Sequence, residues 1–305
     1  MSKLETSFVE MNQKGRPKRF GRLFFIGFLI VLAVLIFKKA DMPNKDEPHI
    51  ATLRIEGMIM QDLALEETLK EIELNPHVQG VIVYINSGGG TMTGGLSLYQ
   101  GLRSIRAQKP VAILMGDMAA SAGYMAALGG EYVVASPATL TGSVGVFMPL
   151  VDASGLMSKL GIQSAIVESG DLKTATLPVQ ARTKKQDLYL KEMVMDLQDL
   201  FMQVVLENRQ LTETQIKTIS DGRAVTGRQA LKLNLVDALG TQFDVKRWIF
   251  NAKNVDKSLP FVEYGWAEEQ SLLKQLLMGN LSETQISAAL VAHIGDTLSA
   301  ISLPQ

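Results

Sequence analysis

The chain has no cysteine, three histidines and two tryptophans among its 305 residues. Lack of cysteine excludes disulfides, thiolate metal sites and a cysteine nucleophile. The histidines, His49, His77 and His293, are far apart, with no H-E-x-x-H and no clustered His/Asp/Glu spacing, so neither a metal nor a cofactor is expected. An excess of charge of either sign is also lacking: a net charge of −1 gives no global pull toward nucleic acid, and no such partner is expected. An apolar content of 47% excludes a mainly disordered chain.

The chain does hold one long apolar run, Leu23 to Phe37, preceded by Lys14, Arg16, Lys18, Arg19 and Arg22 and closed by Lys38 and Lys39. As a helix its 15 residues cover about 23 Å, and Phe20, Gly21 and a snorkelling Arg22 extend it toward the roughly 30 Å hydrocarbon core. The run ends in Phe37-Lys38-Lys39-Ala40-Asp41, without the small-x-small site of a removable signal peptide. A membrane anchor at residues 20–39, held by lipid, is therefore expected, with residues 1–19 as a basic cytoplasmic tail. The positive-inside rule then puts the rest of the chain on the other side of the membrane.

Residues 40–49 are polar, contain Pro43 and Pro48, and read as a linker to a domain spanning 50–250. Within it, Ile50–Ile55, Gly80–Ile85, Val111–Met115, Tyr132–Ala135, Val144–Phe147 and Ile162–Val167 read as strands, several with no polar alternation. Asp62–Leu74, Gly94–Arg106, Ala122–Leu128 and Ser154–Leu160 carry helical spacing between them, which predicts an α/β domain of βαβ units. A long helix is expected from Thr183 to about Gln210, with Leu190, Met193, Val194, Leu197, Phe201, Val204 and Val205 on one face. Residues 251–305 carry no assignable role.

Three stretches suggest hydrolytic chemistry. Ser121, in Gly116-Asp117-Met118-Ala119-Ala120-Ser121-Ala122-Gly123-Tyr124, lies between a strand and a small-residue helix, where free N–H groups favour developing negative charge. Serine is equally a preferred helix cap there. The run Gly88-Gly89-Gly90 follows a strand and lets a backbone N–H approach a substrate oxygen, or simply makes a tight turn. Lys173, in Ser169-Gly170-Asp171-Leu172-Lys173, lies in a less charged setting than Lys184 and Lys185, and a lysine serves as a base only when its surroundings lower its pKa. Ser143, in Thr141-Gly142-Ser143-Val144-Gly145, suits either a lysine-orienting hydroxyl or a strand-entry turn. A Ser-His-Asp triad finds no support, since each histidine reads as a surface or packing residue and Ser121 lacks a G-x-S-x-G elbow.

These residues resemble the signal peptide peptidase A family, membrane-anchored bacterial serine proteases of the Clp protease/crotonase type of α/β fold. The resemblance covers about residues 50 to 245 and rests on Ile85-Asn86-Ser87-Gly88-Gly89-Gly90, Met118 to Tyr124, Thr141 to Val146, Ser169 to Lys173 and Asp221-Gly222-Arg223, in that order. Thr226-Gly227-Arg228-Gln229-Ala230 through Leu235-Val236-Asp237 resembles the usual continuation. It implies Ser121 as nucleophile, Lys173 as general base, Ser143 as the hydroxyl orienting the lysine, and Gly89 and Gly90, with Ala122, around the oxyanion. Where the family usually has proline this chain has Gly88, a less rigid turn.

With one Ser motif and one Lys motif the chain is similar to the family's short form. The resemblance implies a homo-oligomeric ring in which serine and lysine can come from neighbouring subunits, a catalytic domain outside the bacterial cytoplasmic membrane, and remnant signal peptides as substrates. Two rivals share the fold: a quality-control protease for membrane proteins, and a crotonase-like acyl-CoA enzyme, which has no need of a serine/lysine pair or an anchor. An inactive scaffold is the third, and the presence of both Ser121 and Lys173 argues against it.

Overall fold

A computed structural model of the chain describes residues 45–252 and 255–265. The chain divides into Met1–Asn44 and Lys45–Gln305, and the described residues all lie in the second unit. The anchor expected at residues 20–39 lies outside them; among the described residues no helix is long and apolar enough to cross a membrane.

Alternating strands and helices build one sheet. Strand β1 (His49–Ile59) is followed by helix α1 (Leu63–Leu74), β2 (Val78–Gly90), α2 (Met92–Arg106), β3 (Val111–Ala120), α3 (Ala122–Ala127) and β4 (Tyr132–Ala135). Then come β5 (Leu140–Gly142), α4 (Ser154–Lys159), α5 (Lys184–Asn208), α6 (Glu213–Ile219), β6 (Ala224–Thr226), α7 (Gly227–Lys232), β7 (Ala238–Leu239), α8 (Gln242–Ala252) and β8 (Phe261–Tyr264). The main path runs β6-β5-β3-β2-β1-β8, with β4 pairing β3 and β7. Among the described residues every pairing is parallel except β5 with β6. Buried strands of this kind need apolar residues on both sides, which is why Val81 to Ile85 and Val111 to Ile113 read without polar alternation.

The larger core lies between the sheet and helices α1, α2, α3 and α5, through Leu69, Ile72, Leu102, Tyr124 and Phe201. On the other face Val245 and Ile249 of α8 cover Ile50, Ile82, Ala112 and Val134. Helix starts follow local chemistry. The Asp62 carboxylate accepts from the N–H groups of Ala64 and Leu65, and Thr183, Thr212 and Thr226 each form a reciprocal box with a glutamine three residues on.

The fork in β3 positions the site. Ala112 to Leu114 pair with β4, whereas Met118 to Ala120 pair with β5. The carboxyl end of β3 is thereby drawn beside Gly142 and the turn that follows it.

Two expected strands are absent. Val144–Phe147 and Ile162–Val167 are irregular chain, and β5 ends just before the first of them. They have no partner strand among the described residues: Val144 is buried in the core, but Phe147 is 84% exposed and Val167 fully so. β-Propensity expresses packing against neighbours, and beyond Val144 such neighbours are missing within the described chain. Helix α5 splits in the same sense, since Phe201, Val204 and Val205 are buried while Leu188, Met193 and Met195 face outward.

The sheet also extends beyond residue 250. Strand β8 pairs with the first half of β1, Ile50 to Leu53, and Tyr264 is buried with its hydroxyl 2.9 Å from His49 Nε2 and 3.2 Å from Asn75 Nδ2. Tyr264→Ala is expected to cost about 3–5 kcal/mol of unfolding free energy, the usual loss for a buried aromatic ring. A change below about 1 kcal/mol in urea titration would place β8 outside the cooperative domain.

Candidate active site

Ser121 stands at the carboxyl end of β3, where the chain must turn at once into α3. It does so with φ 54° and ψ −122°, a conformation that costs a non-glycine residue of order 1–3 kcal/mol. Two bonds hold the turn: the Ser121 N–H donates to Gly142 O at 2.9 Å, and the Ser121 carbonyl accepts from Met125 N at 2.9 Å. Helix α3 is entirely buried, and Tyr124 anchors it by donating to Leu235 O at 3.0 Å. Burial pushes the Tyr124 hydroxyl well above its usual range, so it remains a neutral donor.

The hydroxyl of Ser121 makes no capping bond to the helix it precedes. The cap reading of this serine therefore fails. A serine held on a strained strand-to-helix turn, its hydroxyl without a hydrogen bond among the described residues, has the form of a nucleophile elbow, here without the G-x-S-x-G sequence.

Gly89 and Gly90 lie beside it. Gly89 has φ +130°, and a Cβ there would come 3.0 Å from Ser121 Cβ and 3.3 Å from Oγ. At Gly90 a Cβ would fall 1.8 Å from Ile59 O. Thr91 N donates to that same Ile59 oxygen at 2.9 Å, so alternation along the strand turns the Gly90 N–H away from β1. The Gly89 N–H instead donates to Ser87 Oγ at 3.1 Å. Of the two glycines expected around the oxyanion, Gly90 has the better-placed donor, while Gly89 supplies the space against Ser121. Ala122 is the first residue of α3, where helix geometry leaves its N–H without an intrahelical acceptor.

Ser143 is brought to the same edge. It follows Gly142, which pairs with Ala120, and it too is left-handed at φ 51°. Its N–H donates to Arg223 O at 2.9 Å. Asp221-Gly222-Arg223 thus acts through a main-chain carbonyl, and the Asp221–Arg223 ion pair closes that turn and holds the Asp221 carboxyl below its usual range.

Lys173 is placed differently. Its side chain is exposed on a turn across residues 171–176 whose Thr174 and Ala175 are buried, and it makes no side-chain hydrogen bond or ion pair among the described residues. The turn itself is fixed: Lys173 N donates to Gly170 O at 3.0 Å, Thr174 bonds Glu168, and Asp171 is paired with Lys185 at 2.8 Å. Gln186, 4% exposed, does two jobs. Its Oε1 accepts from Thr183 N at 3.0 Å to complete the α5 cap, and its Nε2 donates to Asp171 O at 2.6 Å. The Ser121, Gly89, Gly90 and Ser143 group is assembled within one chain, and Lys173 is presented outward on a pinned turn. Gln186, Ser87 and the Arg223 carbonyl carry no signal of role in the sequence beyond lying in or near the motifs.

The histidines stand apart. His49 and His77 lie at the amino ends of β1 and β2, whereas Ser121 lies at the carboxyl end of β3, and in a parallel sheet these are opposite edges. His49 is buried and engaged by Glu47 O and Tyr264. His293 lies outside the described residues. Two cavities of about 930 and 710 Å³ are lined around Tyr84 and Lys246 and around Met58 and Leu65, and neither includes Ser121.

The sequence profile of Peptidase family S49 matches residues 103–256, half of the chain, including Ser121, Ser143 and Lys173. The chain belongs to Peptidase family S49. Members of this family are serine proteases. Among relatives, a candidate protease of Methanocaldococcus jannaschii is 32% identical over 67% of this chain and 65% of its own length. A candidate signal peptide peptidase of Enterococcus faecium is 32% identical over 58% of this chain and 52% of its own. The chain thus spans between half and two thirds of these two relatives. A solved structure, a ClpP1 point mutant from Listeria monocytogenes, is similar at TM-score 0.43 and 18% identity, covering 63% of this chain and 92% of that one.

Gln186→Glu separates the two jobs of that side chain, keeping the acceptor for Thr183 N but placing an oxygen against Asp171 O. Peptidase activity is expected to fall at least about tenfold with helix content by circular dichroism unchanged. Parental activity would show that the Lys173 turn needs no such anchor. Gly89→Ala, strained at φ +130° and crowded against Ser121, is expected to lose about a hundredfold or more in kcat. Activity within a factor of a few would contradict that packing.

Proposed function

We propose that the protein is a membrane-anchored serine endopeptidase with a Ser121/Lys173 dyad that degrades remnant signal peptides at the bacterial cytoplasmic membrane. The observation that carries the chemistry is the Ser121 elbow: a left-handed serine whose hydroxyl has no hydrogen bond among the described residues, set against a glycine loop. Ser121 Oγ attacks the scissile carbonyl carbon while its proton passes to neutral Lys173 Nζ. The tetrahedral oxyanion is met by backbone N–H groups, Gly90 foremost. Collapse breaks the C–N bond, and the proton on Lys173 leaves with the amine. Water then attacks the acyl ester by the same route and frees Ser121.

A lysine is a competent base only when shielded from water, and Lys173 on its exposed turn is not shielded within a single chain. The segment across residues 143–183, irregular on either side of α4, exposes Phe147, Val151, Leu156, Leu160 and Ile162. Covering that surface and burying Lys173 are both met by one arrangement, a homo-oligomeric ring in which Lys173 serves Ser121 of a neighbour. The likeness to a relative named for signal peptides, and the basic-flanked apolar run at residues 20–39, support the substrate and the membrane location. In that arrangement residues 1–19 stay in the cytoplasm and the catalytic domain lies outside it.

Turnover of an apolar signal-peptide-like fluorogenic peptide by the full-length chain in detergent tests this. Ser121→Ala and Lys173→Ala are each expected to abolish turnover. Co-assembled from denatured subunits in equal amounts, the two variants are expected to recover about a quarter of parental activity, the share of interfaces that join an intact serine to an intact lysine. No recovery would place both residues in one chain, and unchanged activity in either single variant would remove that residue from the mechanism.

A further inference from the structure

Ser87 is 2% exposed, lies in the Asn86-Ser87-Gly88-Gly89-Gly90 stretch, and belongs to no step of the mechanism above. Its hydroxyl meets one residue twice. It accepts from Gly89 N at 3.1 Å and donates to Gly89 O at 3.2 Å, spanning both polar ends of that glycine. Behind it, the Ser87 carbonyl and Cβ are packed against Gly123 of the first turn of α3, where an added Cβ would come within 2.9 Å of Ser87 O and 3.4 Å of its Cβ. Ser87 also pairs with Ala119 of β3. One buried side chain therefore ties the glycine loop to the element that carries Ser121.

We propose that Ser87 is a positioning residue for the oxyanion hole. Its hydroxyl clasps Gly89, holds the Gly89 N–H out of the site, and so fixes the Gly89–Gly90 peptide with the Gly90 N–H on the Ser121 side. Three consecutive glycines have no side chains with which to fix their own peptide planes, and Gly88 leaves this turn without the rigidity a proline gives. The Ser87 hydroxyl supplies that restraint from inside. It touches neither the scissile bond nor Lys173. Its effect falls on the transition state, where the oxyanion forms, and leaves ground-state binding unchanged.

The proposal rests on the serine-protease reading above, and its test keeps the two apart. In the full-length chain, Ser87→Ala is expected to lower kcat about ten- to a hundredfold with KM unchanged, and to weaken a peptide boronate by the same factor, because the boronate's tetrahedral adduct uses the same donor. Hydrogen exchange on the unsubstituted protein provides a second readout that needs no variant to fold. With fragmentation resolving single glycines, the Gly89 amide is expected to be protected in the free enzyme, and the Gly90 amide to become protected only when the boronate binds. Parental kcat in Ser87→Ala, a loss confined to KM, or protection gained at Gly89 rather than Gly90 each overturns the clasp. Those results, obtained with an active parent and an inactive Ser121→Ala, leave the protease reading standing; an inactive parent overturns the protease reading and the clasp with it.

Discussion

The hydrogen bond from Ser121 N to Gly142 O, at 2.9 Å, is the constraint on which the rest of this site depends. It continues the pairing of β3 with β5 one step past the last regular residue, and it fixes Ser121 in a left-handed conformation that serine does not adopt for its own sake. The strain, about 1–3 kcal/mol, is offset by the burial of α3, whose Ala122, Gly123, Ala126 and Ala127 are small enough to sit wholly inside the core. The same bond brings Ser143 to the edge where Ser121 emerges. The proposed nucleophile and its neighbouring hydroxyl are therefore placed by one parallel ladder, at the carboxyl ends of the strands where open α/β sheets bind ligands.

Glycine completes the edge by absence. Gly90 crosses so near Ile59 O that no side chain fits, and Gly89 leaves the space that Ser121 Oγ looks into. The polar work there falls to the main chain and to one internal hydroxyl, that of Ser87. Such a site is preorganised by backbone geometry, so its charge-stabilising groups need little rearrangement when a negative oxygen forms.

Much of this is legible in the residues. The runs at Gly80–Ile85 and Val111–Met115 announce buried parallel strands because both faces are apolar, and the helices between them carry plain periodicity and good caps. Ser121 and the glycine run stand out by spacing, although their conformations do not: φ 54° is imposed by the β3–β5 ladder, a long-range pairing that no local pattern encodes. The strands expected at Val144–Phe147 and Ile162–Val167 fail for the same reason in reverse. Their side chains suit a sheet, but the described chain offers them no partner, and Phe147 and Val167 stand exposed. Strand β8 is too short to read, four residues, Phe261–Tyr264, after an unremarkable loop. Gln186 reads as an ordinary cap residue, and only the structure shows its other end on Asp171 O.

The exposed segment and the outward Lys173 are two aspects of one feature. A buried Leu, Ile or Phe contributes about 1.5–3 kcal/mol relative to leaving it in water, so several of them on a single arm favour association strongly. Lys173, the proposed base, must be dry to work, and carried on that arm it links activity to whatever covers it. The central claim is that Ser121, and no other serine, is made nucleophilic by this geometry. The most direct measurement is covalent labelling of the full-length chain by a fluorophosphonate, followed by mass spectrometry of the digested protein. One phosphonyl group per chain is expected on the peptide containing Ser121, lost when the protein is denatured before labelling. A label on Ser143 or Ser87, or a native protein that takes up no label, would contradict it.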